Sequence, residues 1–285
     1  MLQLLQGTGG YRFMSRIEKA FLNNLNQDAN SPYEPKKAFI PFITAGDPSI
    51  EVTEELVIRM AAAGADMIEL GIPFSDPVAE GPVIQDADYR ALSGGVTTDK
   101  IFDMVARIRK VCDVPLVFMT YANPVYTYGT ERFMDQCKKV GIDGIIVPDV
   151  PFEEKNELKP YCDKYGITLI SMIAPTSKDR IHTIAMEAEG FLYCVSSMGV
   201  TGVRSEIGSG VEEMIHQVKE VKDIPCAIGF GISTPEQAAK MSRISDGVIV
   251  GSAIVKIIAN HGKDSVPPVI EFVQSMKKAM TNTKV

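Results

Sequence analysis

The sequence has no tryptophan, only three histidines, and fewer basic than acidic residues. Its 285 residues include 29 lysines and arginines against 36 aspartates and glutamates, a net charge of −7. A nucleic-acid partner would require clustered Lys and Arg to face its phosphates, so this balance argues against one. Apolar runs also fall short of the ~18 residues of a membrane-spanning helix, so we expect no membrane association.

The chain also lacks paired cysteines. Its five cysteines are scattered, with no Cys-x-x-Cys pair, which favours reduced, mostly buried thiols and a cytoplasmic protein. Residues 1–13 lack the long apolar core of a signal peptide, and the sequence from Met14 is more typical of folded protein. We therefore interpret residues 1–13 as an extension outside the fold and residues 14–285 as a single domain.

What the chain does contain is a repeated alternation of short apolar runs and amphipathic stretches. The runs are rich in Ile and Val, which is typical of parallel strands covered on both faces. They lie at residues 38–44, 66–70, 115–121, 144–147, 167–173, 191–196, 226–230 and 247–250. Eight strand–helix units in about 240 residues predict a (β/α)₈ TIM barrel. A doubly wound sheet is the alternative, although it rarely needs eight successive parallel strands.

Helix signals lie between these runs. Glycine follows each of the segments 51–63, 130–140 and 153–165, as expected where a helix ends. Thr97 is placed to open a helix that extends to Cys112, and Thr234-Pro235 to open another. Two additions interrupt the pattern: a helix before the first strand, at residues 15–26, and an inserted helix after the second strand, at residues 86–92.

An acid interrupts the second apolar run. Glu69 follows Met67-Ile68, and the Pro- and Gly-rich loop after it carries Asp76 and Glu80. A buried carboxylate costs several kcal/mol unless it is paired or neutralised, so Glu69 has a structural partner or a chemical task. A core salt bridge or a turn cap is the structural alternative.

Glycine-bearing loops follow the last three runs, at residues 199–202, 229–233 and 251–254. Glycines let backbone N–H groups approach an anion, and barrels often hold phosphate after their seventh and eighth strands. The loops therefore predict a phosphorylated small-molecule substrate, although a tight turn alone also requires glycine.

Several reaction classes lack their residues. No strand contains the lysine of a Schiff-base aldolase, and Lys256 falls within a helix, where we expect a surface position. The histidines His182, His216 and His261 fall in helical or post-helical segments, so we expect no metal site. Neither a Gly-x-Ser-x-Gly elbow nor a Cys/His pairing is present. What remains is carboxylate acid–base chemistry by Glu69, Glu80 and Asp76.

The chain resembles the tryptophan synthase α subunit over about residues 15–280. The resemblance is carried, in order, by residues 41–48 (PFITAGDP), 69–82 (ELGIPFSDPVAEGP), 121–124 (YANP), 148–151 (PDVP), 199–202 (GVTG), 229–233 (GFGIS) and 251–257 (GSAIVKI). It implies cleavage of indole-3-glycerol phosphate to indole and glyceraldehyde 3-phosphate. It also implies an α–β–β–α complex whose β subunit holds pyridoxal phosphate and joins indole to serine.

The same resemblance implies roles for individual residues. Glu69 matches the catalytic glutamate, and Glu80 matches a second acid that accepts the indole N–H. Supporting and substrate-binding positions are Tyr193 near the catalytic glutamate, Thr201 in a mobile sixth loop, Phe42 and Tyr121 at the indole pocket, and Gly202, Gly231, Gly251 and Ser252 at the phosphate. The loop at residues 73–80, with Phe74, Asp76 and Val78 exposed, is expected to contact the β subunit.

Two positions depart from the family pattern. Glu80 replaces an aspartate of the best-known members, and Ser196-Ser197-Met198 replaces a segment that carries an arginine there. Two other functions therefore stay open: a stand-alone lyase that releases indole, and a weakly catalytic activator of a β subunit. An indole-glycerol-phosphate synthase is disfavoured because the strand ends lack lysines.

Overall fold

The computed structural model of the chain describes residues 4–5, 12–24, 33–176, 178–195, 209–229 and 231–281. Its central feature is a ring of parallel strands: β1 (Ala38–Thr44), β2 (Ile68–Gly71), β3 (Leu116–Met119), β4 (Gly144–Ile146), β5 (Thr168–Leu169 and Ser171–Ile173), β6 (Leu192–Val195), β7 (Cys226–Gly229) and β8 (Gly247–Val250). The first segment of β5 pairs with β4 and the second with β6, while β8 pairs with β1. The ring is thereby closed, and the predicted TIM barrel is confirmed.

Helices surround this ring. They are α1 (Arg16–Ala20), α2 (Ile50–Ala62), α3 (Pro82–Ser93), α4 (Thr98–Ile108), α5 (Ala122–Tyr128), α6 (Thr130–Val140), α7 (Lys159–Tyr165), α8 (Lys178–Glu187), α9 (Ser209–Val221), α10 (Pro235–Ile244), α11 (Ser252–His261) and α12 (Val266–Thr281). Short 3₁₀ turns lie at Phe152–Glu157 and Gly262–Asp264. Thr234 and Gln237 form a reciprocal capping box at α10, with Pro235 as its first residue.

Alternate residues of the strands belong to two separate cores. Ile40, Met67 and Val117 pack inside the barrel, whereas Phe39, Ile68 and Phe118 pack between the strands and the helices. This period of two follows from the pleat of a strand. Glu69 shares the parity of Met67, so its side chain points into the barrel.

The first helix covers the N-terminal end of the barrel. Ile17 and Phe21 belong to the interior core, and the ring of Phe21 lies 5.7 Å from that of Phe191. Arg16 fastens α1 from outside by donating to Asp143 at 2.7 Å and to the carbonyl of Gly141 at 3.1 Å. The opposite, C-terminal end is the one at which TIM barrels carry their functional side chains.

Four predicted helices differ from the structure. The helix predicted at residues 15–26 ends at Ala20, and Leu22–Asn24 pairs antiparallel with Tyr33–Pro35, since asparagines favour local hydrogen bonds over a helix. The helix predicted at residues 153–165 is broken because Pro160 has no N–H for its interior, so α7 begins beside it. The helix predicted to reach Cys112 ends at Ile108, and the inserted helix is longer than predicted.

The N-terminal extension stays an interpretation. Within it, Leu4–Leu5 pairs antiparallel with Arg12–Phe13, in a ladder separate from the barrel sheet. Across the described ranges, no helix is both long and apolar enough to cross a membrane.

Candidate active site

The inner wall of the barrel carries a buried acid. Glu69 is 2% exposed and lies on β2, beside Phe42 of β1 and Val117 of β3. Burial, and secondarily the negative charge of Glu80, raises the pKa of Glu69 to about 8. At neutral pH this side chain is therefore mainly a neutral acid that can give up a proton.

We expect this buried acid to make stability depend on pH. The folded state binds the proton of Glu69 more tightly than the unfolded chain, whose pKa is near 4.5. The associated stability is complete below pH 4.5 and is lost as the pH rises through 8. In urea unfolding, the free energy of unfolding of Glu69→Gln relative to that of wild type should increase by at least about 1 kcal/mol between pH 5 and pH 9. A difference that stays constant with pH would contradict the raised pKa.

Glu80 lies at the end of the loop between β2 and α3, directly before the cap residue Gly81. Burial raises its pKa to about 7, and a hydrogen bond with the Tyr121 hydroxyl opposes that rise. The same hydroxyl accepts the backbone N–H of Ala79 at 3.1 Å. Tyr121 therefore fixes both the backbone and the carboxyl at this end of the loop.

A cavity of about 580 Å³ brings most of the predicted residues together at the C-terminal end. Glu69 and Glu80 lie on its wall among largely apolar side chains. The other predicted residues on the wall are Phe42, Tyr193, Gly231, Gly251 and Ser252. An apolar cavity with two acids at one place and glycines at another suits an amphipathic ligand that carries an anionic group.

Some predicted residues lie elsewhere. Tyr121 is buried behind Glu80 and does not line the cavity, and Asp76 is exposed on the loop. The expectation that Phe74 is exposed is wrong, because it is half-buried with its ring 5.5 Å from that of Tyr121. Thr201, Gly202 and the segment Ser196-Ser197-Met198 lie outside the described residues.

Tyr193 on β6 packs over the backbone of the next strand. A Cβ at Gly229 would lie 2.4 Å from the Tyr193 hydroxyl, so only glycine allows the ring to take this position. Burial, followed by the charges of Glu69 and Glu80, raises the pKa of Tyr193. Its hydroxyl therefore stays protonated beside the two acids.

The glycine end of the cavity lies at the start of α11. Gly251 is the residue before this helix and Ser252 is its first residue, while Gly231 has a φ of +77° with open space around its Cβ position. Lys256, predicted as a surface residue, is exposed and also lines the cavity. A helix N-terminus, backbone N–H groups and a lysine together favour a bound anion.

Sequence reasoning missed two charged residues near the site, Lys256 as part of the wall and Asp88 behind it. Asp88 is 5% exposed on the face of α3 that also buries Ile84, Ala87 and Ala91. The available signal was an acid at helical spacing within an apolar stripe. For Lys256 the signal was its place one turn after the glycine loop.

Metal ligation has no candidate in the part of the chain that the structure describes. No group of three or more His, Cys, Asp or Glu residues there is placed to hold a metal ion. The three histidines are all exposed and lie within the outer helices α8, α9 and α11.

The match to known proteins covers nearly the whole chain. Residues 29–283 match the family model of the tryptophan synthase alpha chain. The chain belongs to this family. Among its relatives, the tryptophan synthase alpha chain of Lacticaseibacillus casei is 46% identical over 252 residues, 88% of this chain and 95% of that protein.

Solved structures of tryptophan synthase alpha chains share the fold. The subunit from Legionella pneumophila superposes with a TM-score of 0.81 at 36% identity, covering 94% of this chain and 99% of its own. A chain in the tryptophan synthase complex of Pyrococcus furiosus gives a TM-score of 0.78 at 34% identity, covering 85% and 98%. Both likenesses span the barrel that carries the cavity.

Proposed function

We propose that this chain is the α subunit of a tryptophan synthase and cleaves indole-3-glycerol phosphate to indole and glyceraldehyde 3-phosphate. The observation that carries the proposal is the cavity, in which a buried, protonated Glu69 faces an apolar space near Glu80. Family membership supplies the substrate, and the glycine end of the cavity suits its phosphate.

Glu69 serves as both acid and base. Its neutral carboxyl donates a proton to the ring carbon of indole that bears the glycerol chain, which leaves a cation on the ring. The resulting carboxylate takes the proton of the adjacent hydroxyl. As that hydroxyl becomes the aldehyde carbonyl, the carbon–carbon bond breaks and its electron pair returns to the ring. The acid is regenerated, and its raised pKa suits a group that must change charge twice near neutral pH.

Glu80 stabilises the cation. Its carboxylate accepts the indole N–H and lies near the ring as positive charge develops, so it favours the transition state over the substrate. Its pKa of about 7 leaves it substantially ionised at neutral pH. Glutamate is one methylene longer than aspartate, and Tyr121 fixes this longer side chain and its loop by hydrogen bonds with Glu80 and with the backbone N–H of Ala79.

The phosphate binds at Gly231, Gly251 and Ser252, through backbone N–H groups and the N-terminal end of α11. We expect Gly231→Ala to raise KM for indole-3-glycerol phosphate about fivefold, which corresponds to roughly 1 kcal/mol of weakened hydrogen bonding. Binding of indole, which has no phosphate, should stay unchanged. Steady-state kinetics and a fluorescence titration with indole measure the two effects.

The chain offers a matched control for this substitution. Gly166 has a φ of +70° and open space at its Cβ position, as Gly231 does, but ends α7 away from the cavity. Because alanine is strained at a positive φ, both substitutions should lower the free energy of unfolding by a similar amount, but Gly166→Ala should leave KM unchanged. Equal effects of the two substitutions on KM would remove Gly231 from the phosphate site.

Family membership supports our placement of the cofactor and the partner. We place pyridoxal phosphate in the β subunit, which receives the indole for tryptophan synthesis, and we place no cofactor in this chain. A β subunit is expected on the C-terminal face, where the loop at residues 73–80 exposes Asp76 and Val78, the latter 76% exposed. Loops at this end of a barrel commonly combine binding and catalysis.

The decisive assay is indole release from indole-3-glycerol phosphate, with and without a tryptophan synthase β subunit. We expect slow release by the isolated chain and faster turnover in the complex. Rapid release that a β subunit does not change would favour a stand-alone lyase. Stimulation of the β reaction without any cleavage would favour an activator, and no effect in either assay would reject the proposal.

A further inference from the structure

A third acid lies behind the two on the cavity wall. Asp88 on α3 is 5% exposed, and the residues that share its helix face are apolar. Its side chain does not line the cavity, so it has no direct contact with a ligand there. A carboxyl that is buried in this way is costly unless its oxygens accept hydrogen bonds.

Two hydrogen bonds account for its position. The Thr44 hydroxyl, at the end of β1, donates to Asp88 Oδ1 at 3.4 Å. The backbone N–H of Phe74, in the loop that leads to Glu80, faces the same carboxyl and lowers its pKa. Asp88 therefore joins three elements of the chain: the end of β1, helix α3, and residues 73–80, which we name the acid loop.

The acid loop is held at both of its ends. Asp88 holds the backbone of Phe74 near its beginning, and Tyr121 holds Ala79 and Glu80 at its end. The rings of Phe74 and Tyr121 connect the two attachments. Displacement of Phe74 would therefore disturb Tyr121 and, through it, the carboxyl of Glu80.

The charges of Asp88 and Glu80 also interact. Burial, followed by the negative charge of Glu80, raises the pKa of Asp88 to about 7, close to that of Glu80. Repulsion between two carboxylates is mutual, so each makes ionisation of the other harder. The other charged or titratable groups around them are Glu69 on β2, Tyr121 after β3, Tyr193 on β6, Asp47 after β1 and Arg90 on α3, with Lys256 of α11 on the cavity wall. Arg90 is engaged by Asp47, with both hydrogen bonds 2.8 Å long.

We propose that Asp88 is a positioning residue for Glu80: its carboxyl holds the acid loop against the barrel and places a negative charge beside Glu80. The inference rests on the proposed role of Glu80 in cleavage. Two substitutions separate the two effects. Asp88→Asn keeps an acceptor oxygen for Thr44 and Phe74 but removes the charge, whereas Asp88→Ala removes both.

The first readout is independent of activity. Hydrogen exchange of the Phe74 amide should be at least about tenfold faster in Asp88→Ala and near the wild-type rate in Asp88→Asn. A carbon-13 NMR titration should show the pKa of Glu80 lowered by about half a unit or more in Asp88→Asn. Asp86→Asn, the same substitution at an exposed site on α3, should change neither.

The second readout is cleavage of indole-3-glycerol phosphate. Asp88→Ala should lower kcat about tenfold with little change in KM, because Glu80 acts on the transition state. Asp88→Asn should retain the wild-type kcat at the pH optimum. In a plot of kcat against pH, its acidic limb should shift to lower pH. Normal exchange at Phe74 in Asp88→Ala together with an unchanged Glu80 pKa in Asp88→Asn would overturn the inference. If the wild-type chain cleaves nothing, the proposed function fails, and the exchange and titration data still decide the role of Asp88.

Discussion

Replacement of Glu69 by glutamine is expected to reduce cleavage of indole-3-glycerol phosphate by at least about 10²–10⁴-fold while the barrel remains folded. Glutamine fills nearly the same volume on the inner wall but can neither donate nor accept the proton. One carboxyl performs both transfers in the proposed reaction, so no second group remains to sustain half of the chemistry. The measurement is indole release under single-turnover conditions, which isolates the chemical step.

A matched substitution tests whether the loss of activity is specific to position 69. Glu271→Gln makes the same change on an exposed position of α12 and should leave turnover unaffected. Thermal unfolding and indole binding by Glu69→Gln should match wild type near pH 5, where the wild-type acid is neutral as well. Retention of a tenth or more of the wild-type rate would assign the proton transfers to another residue.

A tryptophan synthase β subunit is expected to accelerate cleavage at least tenfold, a reduction of about 1.4 kcal/mol in the barrier. The outer part of the acid loop, with Asp76 and Val78, is exposed, whereas its end holds Glu80 on the cavity wall. A partner that binds the outer part would select loop conformations in which Glu80 is correctly placed. Asp76→Ala should therefore reduce the acceleration more than the basal rate.

The control lies at the opposite end of the barrel. Asp223 is a fully exposed acid shortly before β7, on the N-terminal side. Asp223→Ala should leave both the basal rate and the acceleration intact. If the isolated chain turns over as fast as the complex, the loop-ordering explanation is wrong and the stand-alone lyase takes its place.

The barrel strands were predictable because a parallel strand that is covered on both faces appears in the sequence as a short, nearly continuous apolar run. Residues 38–44 and 247–250 were predicted with the bounds that the structure has. The prediction of one helix over residues 153–165 was only partly right. Glycine marks the end of that helix clearly, but the prediction overlooked Pro160, which lacks the N–H that a helix interior needs. A helix boundary that depends on a single backbone hydrogen bond is therefore harder to predict than a buried strand.

The candidate site was predictable where chemistry conflicts with local structure. An acid within an apolar strand and glycines at strand ends pointed to Glu69, Gly231 and Gly251, all of which line one cavity. The contacts of Tyr121 and Asp88 were not predictable, since they depend on how the acid loop folds back over α3 and β3. Their sequence signals are an ordinary aromatic residue and one polar position in an apolar stripe.

Helix α1 covers the N-terminal end of the barrel, and this affects the route by which substrate and product move. Ile17 and Phe21 fill that end, so we expect both substrate entry and product departure to use the C-terminal face. A β subunit seated on this face would therefore cover the route by which indole leaves. In the proposed complex, the position of one five-residue helix would thus make transfer to the partner, rather than escape to solvent, the direct path for the product.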